Sequence, residues 1–305
     1  NREKIWVRIA GDPVRDKDEV LWTVVDITER VKAKEKIDQL ASKLSRYLSP
    51  QVYQSIFSGK KNVKIEAYRK KLTVFFSDIK GFTEITDRLE PEVLSTLLNS
   101  YLNEMSKIAL KYGGTIDKFV GDAILIFFGD PYTKGEKEDA HSCVLMALEM
   151  QERMHHLKNL WEDQGITNPL EIRIGINTGY CNVGNFGSEN RFDYTIIGGE
   201  VNLASRLESN AMTGQILISQ ETYALIKKHI VCEKKDEIKV KGIAHKIQTY
   251  QVVGSYKNIA QKRKILNEEF DGFNLNIDLN ISKKNKVITS LENTLKQLKK
   301  DEKSN

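Results

Sequence analysis

Apolar residues recur along the chain with two periods, and the switches between them mark the elements. Ile5, Val7 and Ile9 alternate with polar neighbours. A turn-rich stretch from Gly11-Asp12-Pro13 to Asp18 follows, and Leu21–Val25 is a second apolar run. That pattern predicts a β-hairpin over 1–28. Over 29–48 the period changes: Ile37, Leu40, Leu44 and Tyr47 recur at 3,4,3 spacing with charges between them, a short a/d seam on a helix. Ser49-Pro50 is expected to end that helix, and a connector to fill 51–71, Lys-rich over 58–71. From Leu72 a denser pattern begins. Leu72–Ser77 reads as a strand, and Pro91–Tyr112 as a helix with Leu94, Leu97, Leu98, Tyr101, Leu102 and Met105 on one face, stopped by Gly113-Gly114. Short strands are expected at 115–120 and 123–128, a long helix at 138–165, strands near 170–178, 181–185 and 193–197, and a helix at 199–210. Strand, helix and strand close the unit by Val253. The order β-α-β-β-α-β predicts an α+β, ferredoxin-like (split βαβ) domain over 72–255. In the tail, 256–305, Phe273, Leu275, Ile277, Leu279 and Ile281 alternate, and Ile288, Leu291, Leu295 and Leu298 take helical spacing. A docking strand with a short helix fits, and so does a loosely ordered Lys-rich end.

Two strands do not make a stable domain, so the 1–28 hairpin should complete a sheet whose other strands lie upstream. Its exit, Asp26-Ile27-Thr28-Glu29-Arg30, resembles the C-terminal edge of a PAS sensor domain. An ordinary hairpin ahead of a helix is the other reading. The seam of 29–50 likewise fits a parallel dimer helix joining sensor to output, or an amphipathic helix lying on its own domain. The chain opens on Asn1 in what reads as mid-domain. It is expected to be a fragment of a longer protein, itself cytoplasmic or the cytoplasmic part of a membrane-anchored one.

Composition narrows the classes. The chain has 305 residues, 40% hydrophobic and 29% charged, an ordinary globular balance that excludes wholesale disorder and collagen-like repeats. Cys143, Cys181 and Cys232 are an odd, sparse set with no CxxC spacing, hence neither a disulfide framework nor a zinc site. No apolar run is long enough to span a bilayer. Lys and Arg outnumber Asp and Glu by 47 to 42, a net +5, which suits an anionic small molecule as well as nucleic acid. The lysines of the connector and tail are interleaved with acids and few aromatics, so they read as a solvated face and no nucleic-acid partner is expected.

Three segments carry candidate chemistry. In Phe75-Phe76-Ser77-Asp78-Ile79-Lys80-Gly81-Phe82-Thr83, a buried strand ends in a carboxylate and a Gly turn leads to a helix. The backbone N–H groups of Gly81, Phe82 and Thr83 are thereby presented to an anion beside an acidic metal ligand. In Asp117-Lys118-Phe119-Val120-Gly121-Asp122-Ala123, a second Asp sits in a tight turn between strands. First strand and hairpin are neighbours in a ferredoxin-like sheet, so Asp78 and Asp122 should converge and hold Mg²⁺. Two ions bridged by two carboxylates serve displacement at phosphorus. Each Asp taken alone also fits a turn former. In Tyr194–Glu208, Asn202 and Arg206 are four apart and share a helix face. They fit either an exposed polar stripe or a pair that orients a ribose and neutralises a phosphorane.

Together FSDIKGFT, KFVGDAILIFF, YTIIGGEVNLASRLE and VKG resemble the catalytic domain of class III nucleotidyl cyclases over about 72–254. The resemblance implies two Mg²⁺ or Mn²⁺ ions on Asp78 and Asp122 with the Ile79 carbonyl. It implies Lys118 and Thr195 as purine readers, Asn202 and Arg206 as the transition-state pair and Lys241 on the triphosphate. It also implies a homodimer whose site takes the aspartates from one protomer and the remaining groups from the other. Lys118 would donate to adenine N1, and the Thr195 hydroxyl would accept from N6; guanine reverses both polarities. Guanylyl members usually carry Glu and Cys at these positions. Thr instead of the commoner Asp is similar to the subgroup that includes bicarbonate-responsive adenylyl cyclases. Gly198-Gly199 departs from the family's usual Gly-Asp and reads as a local turn change. Gly198-Gly199-Glu200 is also similar to the diguanylate cyclase signature, but Val201 and Asn202 break that pattern. The expected function is an adenylyl cyclase on ATP, gated by an upstream sensor. A guanylyl cyclase and a catalytically silent nucleotide-binding dimer are the alternatives.

Overall fold

The computed structural model describes residues 4–13, 20–45, 49–57, 66–163, 165–166, 169–240, 246–256, 265–270, 273–278 and 284–301. Its elements are β1 (Val7–Pro13), β2 (Val20–Asp26), α1 (Thr28–Leu44), α2 (Pro50–Phe57), β3 (Ala67–Ile79), α3 (Phe82–Thr86), α4 (Pro91–Tyr112), β4 (Thr115–Val120), β5 (Ala123–Phe128), α5 (Glu136–Asp163), β6 (Ile172–Ser188), β7 (Arg191–Ile197), α6 (Gly199–Asn210), β8 (Ile216–Ser219), α7 (Gln220–Ile226), β9 (Ile230–Lys234), β10 (Thr249–Ser255), β11 (Ile265–Phe270), β12 (Phe273–Asp278) and α8 (Lys284–Asp301). The main sheet runs β4-β5-β3-β6-β8-β10-β9, with β7 hairpinned onto β6. Every pairing in it is antiparallel except β6 with β8. This is the expected α+β, ferredoxin-like arrangement, with one strand more at its end.

The period-2 alternation of β3 divides the core. Phe75 and Ile79 point to the face covered by α4 and α5, where Tyr101, Met105, Met146 and Met150 are fully buried. Leu72 and Val74 point to the other face and pack with Phe127, Val183, Ile196 and Ala204 beneath β7 and α6. All six residues of β5 are buried because both faces are covered. The α4 face is the expected one, continued by Ile108 and Ala109. The helix ends because Gly113 takes φ 85° in the left-handed region.

Three sequence expectations are corrected. β3 starts at Ala67, not Leu72: residues 67–71 are largely exposed and so lack an apolar signature, yet they pair with Gly184–Tyr180 of β6. The connector also contains a helix, α2, which starts at Pro50, where proline suits a first helical turn. Gln51 Nε2 of α2 donates to the Gly114 carbonyl at 2.8 Å. The strands expected at 170–178 and 181–185 are one continuous β6. Across the expected gap, Gly179 stays in register opposite Leu72, and a Cβ added there would lie 2.5 Å from the Glu200 side chain.

In the tail, β12 pairs with β11 in a two-stranded sheet of their own rather than docking on the main sheet, and α8 follows. Leu279 and Ile281 lie outside the described residues, as does Tyr47 of the helix seam. No helix among the described residues is long and apolar enough to cross a membrane.

Gly175 sets how α6 sits on the sheet. A Cβ there would lie 2.2 Å from both the Ala204 carbonyl oxygen and the Glu208 nitrogen. Backbone atoms cannot move aside as a flexible side chain can. Gly175→Ala is therefore expected to lift α6 and cost about 1–3 kcal/mol of stability, read as a shifted urea midpoint. An unchanged midpoint would show that helix and strand are not in that close contact.

Candidate active site

Asp78 is the next-to-last residue of β3 and stands opposite Arg173 of β6. Asp122 follows Gly121, whose φ of 65° makes the tight β4–β5 turn. Because β5 pairs with β3, the turn brings Asp122 to the end of β3, where its Oδ2 accepts the Ile79 N–H at 3.1 Å. The two aspartates thus come together, as expected from the topology. Burial, followed by the hydrogen bond and charge of Asp78, pushes the Asp122 carboxyl up to about 6. A carboxyl raised in this way is half-protonated near that pH, where an ordinary aspartate is ionised. Tyr101, wholly buried nearby, is driven above the usual phenol range by burial, with the charges of Asp122 and Asp78 adding to it.

Gly81 takes φ 70° and caps the short helix α3, so Phe82 and Thr83 are its first residues. Their N–H groups have no acceptor within that helix. Lys241 lies outside the described residues.

Lys118 and Thr195 are far apart in sequence but meet through a residue between them. β4 carries a bulge between Ile116 and Lys118, which leaves Asp117 without a partner in the ladder. Asp117 turns toward β7: its Oδ2 accepts the Thr195 hydroxyl at 2.6 Å and the Ile196 N–H at 3.2 Å. Its Oδ1 lies 3.4 Å from Lys118 Nζ. The neighbouring Tyr194 is pinned as well. Its hydroxyl donates to buried Asp130, which also accepts from Tyr68 at 2.5 Å and Lys70 at 2.9 Å.

Asn202 and Arg206 share the exposed face of α6, with Leu203 and Leu207 buried on the opposite side. Among the described residues neither side chain makes a hydrogen bond or ion pair. The helix is tied down by Asn177, whose Nδ2 donates to the Glu200 carbonyl at 3.1 Å and carboxylate at 2.6 Å. At Gly199 an added Cβ meets nothing within 4 Å. A family-typical Asp would fit, so the Gly-Gly departure leaves the packing of α6 unaltered.

Sequence reasoning missed Arg173, Glu208 and Asp117. Arg173 bridges Asp78, at 3.3 Å, and buried Glu208 of α6, at 2.7 Å. A strand arginine directly across the ladder from Asp78 is a signal only once the register of β6 is known. Asp117 stood inside a motif already singled out, but nothing local shows that the bulge turns it inward.

A family model described as "Adenylate and Guanylate cyclase catalytic domain" matches residues 63–254. An adenylyl cyclase structure, CyaB from P. aeruginosa, is 64% identical, covers 63% of this chain and 98% of its own, and superposes with a TM-score of 0.62. The guanylyl cyclase Cya2 gives 36% identity over 63% of this chain and 95% of its own, TM-score 0.60. Among curated relatives, "Adenylate cyclase, terminal-differentiation specific" of Dictyostelium discoideum is 33% identical over 72% of this chain, and "Adenylate cyclase 1" of Rhizobium meliloti is 32% identical over 62%. The chain spans only 10% and 28% of those two relatives' lengths. With a family model covering well over half of its residues and a fold shared with solved cyclase domains, the chain belongs to the adenylate and guanylate cyclase catalytic domain family.

Proposed function

We propose that this chain is an adenylyl cyclase module, converting ATP to 3′,5′-cyclic AMP and pyrophosphate in a homodimer. The observation that carries the choice of purine is the joining of Lys118 and Thr195 by Asp117. An ammonium donor and a hydroxyl acceptor held side by side match adenine N1 and N6, and they oppose guanine at both edges.

In the reaction the ribose 3′-hydroxyl gives up its proton to solvent as its oxygen attacks the α-phosphorus, the bond to the bridging β-phosphate oxygen breaks, and pyrophosphate leaves with that electron pair. Asn202 would orient the ribose. Arg206 would neutralise charge building on the α-phosphoryl oxygens. Lys241 and the N–H groups of Gly81, Phe82 and Thr83 would hold the triphosphate.

Asp78, Asp122 and the Ile79 carbonyl would hold Mg²⁺ or Mn²⁺, two ions per site. The donor set fits. Two carboxylates share one end of the sheet, and burial with the Asp78 charge raises one of them to about 6, a penalty on the paired anions that a divalent cation would relieve. Among the described residues no group of three or more His, Cys, Asp or Glu gathers. The remaining ligands would therefore be phosphate oxygens and water, as is usual for Mg²⁺. When bound, the ions supply charge neutralisation at the phosphates and activation of the 3′-hydroxyl.

The regions flanking the catalytic unit support sensor control. Trp6, just ahead of β1, and Val7, Val24 and Val25 of the β1–β2 hairpin are 48–62% exposed, as strands awaiting the rest of a sheet would be. Ile37 and Leu40 of α1 are 64% and 52% exposed, as expected for a dimer seam seen in a single chain.

Incubation of the purified protein with ATP or GTP and Mg²⁺ or Mn²⁺, with chromatographic identification of the cyclic product, tests the proposal. Cyclic AMP as the main product is expected. Cyclic GMP would support the guanylyl alternative, and no product the silent dimer. Lys118→Glu with Thr195→Cys should weaken ATP use and admit GTP. A mismatched hydrogen-bonding group costs about 1–3 kcal/mol when buried; Thr195 is buried and Lys118 is 42% exposed, so the ATP:GTP ratio should fall at least about tenfold. A double variant that discriminates as wild type does would remove these residues from purine reading.

A further inference from the structure

We infer that Asp117 is a specificity-determining positioning residue, which holds the Thr195 hydroxyl as a hydrogen-bond acceptor toward the base. The inference rests on the reading of Lys118 and Thr195 as the purine-facing pair.

A threonine hydroxyl has one proton and two lone pairs. Free to rotate, it can donate to the O6 of guanine as readily as it accepts from the N6 of adenine. Alone it would discriminate poorly. Here the proton is committed. The hydroxyl donates to Asp117 Oδ2 at 2.6 Å, a charge-assisted bond stronger than a neutral one. Only lone pairs remain for the base, so adenine N6 finds an acceptor and guanine O6 meets a second oxygen.

Asp117 is itself held firmly. The β4 bulge directs it inward, its side chain is 1% exposed, and the Ile196 N–H fixes Oδ2 at 3.2 Å. Oδ1 of the same carboxylate lies 3.4 Å from Lys118 Nζ, but the ammonium is a donor whatever its neighbour, so only Thr195 depends on Asp117 for its polarity. Burial raises the Asp117 carboxyl above its ordinary value. The Thr195 bond, Lys118 and the Ile196 N–H pull it back down.

The test measures kcat/KM for ATP and GTP separately, with the purified full chain as wild type, Asp117→Ala, Asp117→Asn, Thr195→Val and the Asp117→Ala/Thr195→Val double variant. Wild type should prefer ATP. Asp117→Ala should lower the ATP:GTP ratio at least about tenfold, chiefly through KM. Asp117→Asn should stay within about threefold of wild type, because its amide oxygen still accepts from Thr195. In the Thr195→Val background Asp117→Ala should change the ratio little, since residues acting through one another are not additive. If the alanine protein does not fold, Asp117→Leu takes its place. An ATP-preferring wild type whose ratio is unchanged in Asp117→Ala overturns this inference alone, as does an equal effect of Asp117→Ala with and without the Thr195 hydroxyl. A wild type that prefers GTP overturns the adenylyl reading and this inference with it.

Discussion

Asp78→Ala and Asp122→Ala are each expected to lower cyclase turnover about a thousandfold while leaving the protein folded and dimeric. A bound metal is worth several kcal/mol to a phosphoryl transition state, and about 4 kcal/mol corresponds to a thousandfold in rate. Stability should suffer little. Asp122 is pushed up to about 6 by burial and by Asp78, so at neutral pH the metal-free fold carries two carboxylates that repel each other. Removing either relieves that repulsion. Asp78→Ala does leave Arg173 with only Glu208, so its melting temperature is the more sensitive control. Turnover close to wild type in either variant, with folding confirmed, would reduce these residues to turn formers.

Mixing two inactive proteins should restore activity. If each interface site takes Asp78 and Asp122 from one protomer and Asn202 and Arg206 from its partner, Asp78→Ala and Arg206→Ala homodimers are each almost inactive. A heterodimer then has one site with both lesions and one with neither, and should reach about half the wild-type rate. Asn202 and Arg206 suit such sharing, because in the single chain both are solvent-facing and unbonded among the described residues. The heterodimer should be purified through two different affinity tags, so that slow subunit exchange does not hide the result. One that remains inactive would point to a site contained within each chain.

The local chemistry of the chain was legible wherever neighbours in sequence are also neighbours in space. The 3.6-residue spacing of Leu97, Tyr101 and Met105 with the Gly113 stop defined α4 to the residue. The Gly121-Asp122 turn was visible because a tight hairpin turn needs such residues. Asn202 and Arg206 lie four apart on one helix, so their common face followed from the helical period alone. Strand ends were less legible. Ala67–Lys71 carries no alternation because that part of β3 is held by main-chain hydrogen bonds to β6 rather than by burial. Tertiary structure alone decided the contacts made across the sheet. Which residue faces Asp78 depends on the β3–β6 register, and that places Arg173 there. Which residue reaches Thr195 depends on one extra residue in β4, which turns Asp117 under β7. A strand pattern has a period of two, so a one-residue bulge reverses the direction of a side chain without altering the hydrophobic signature that sequence reading relies on.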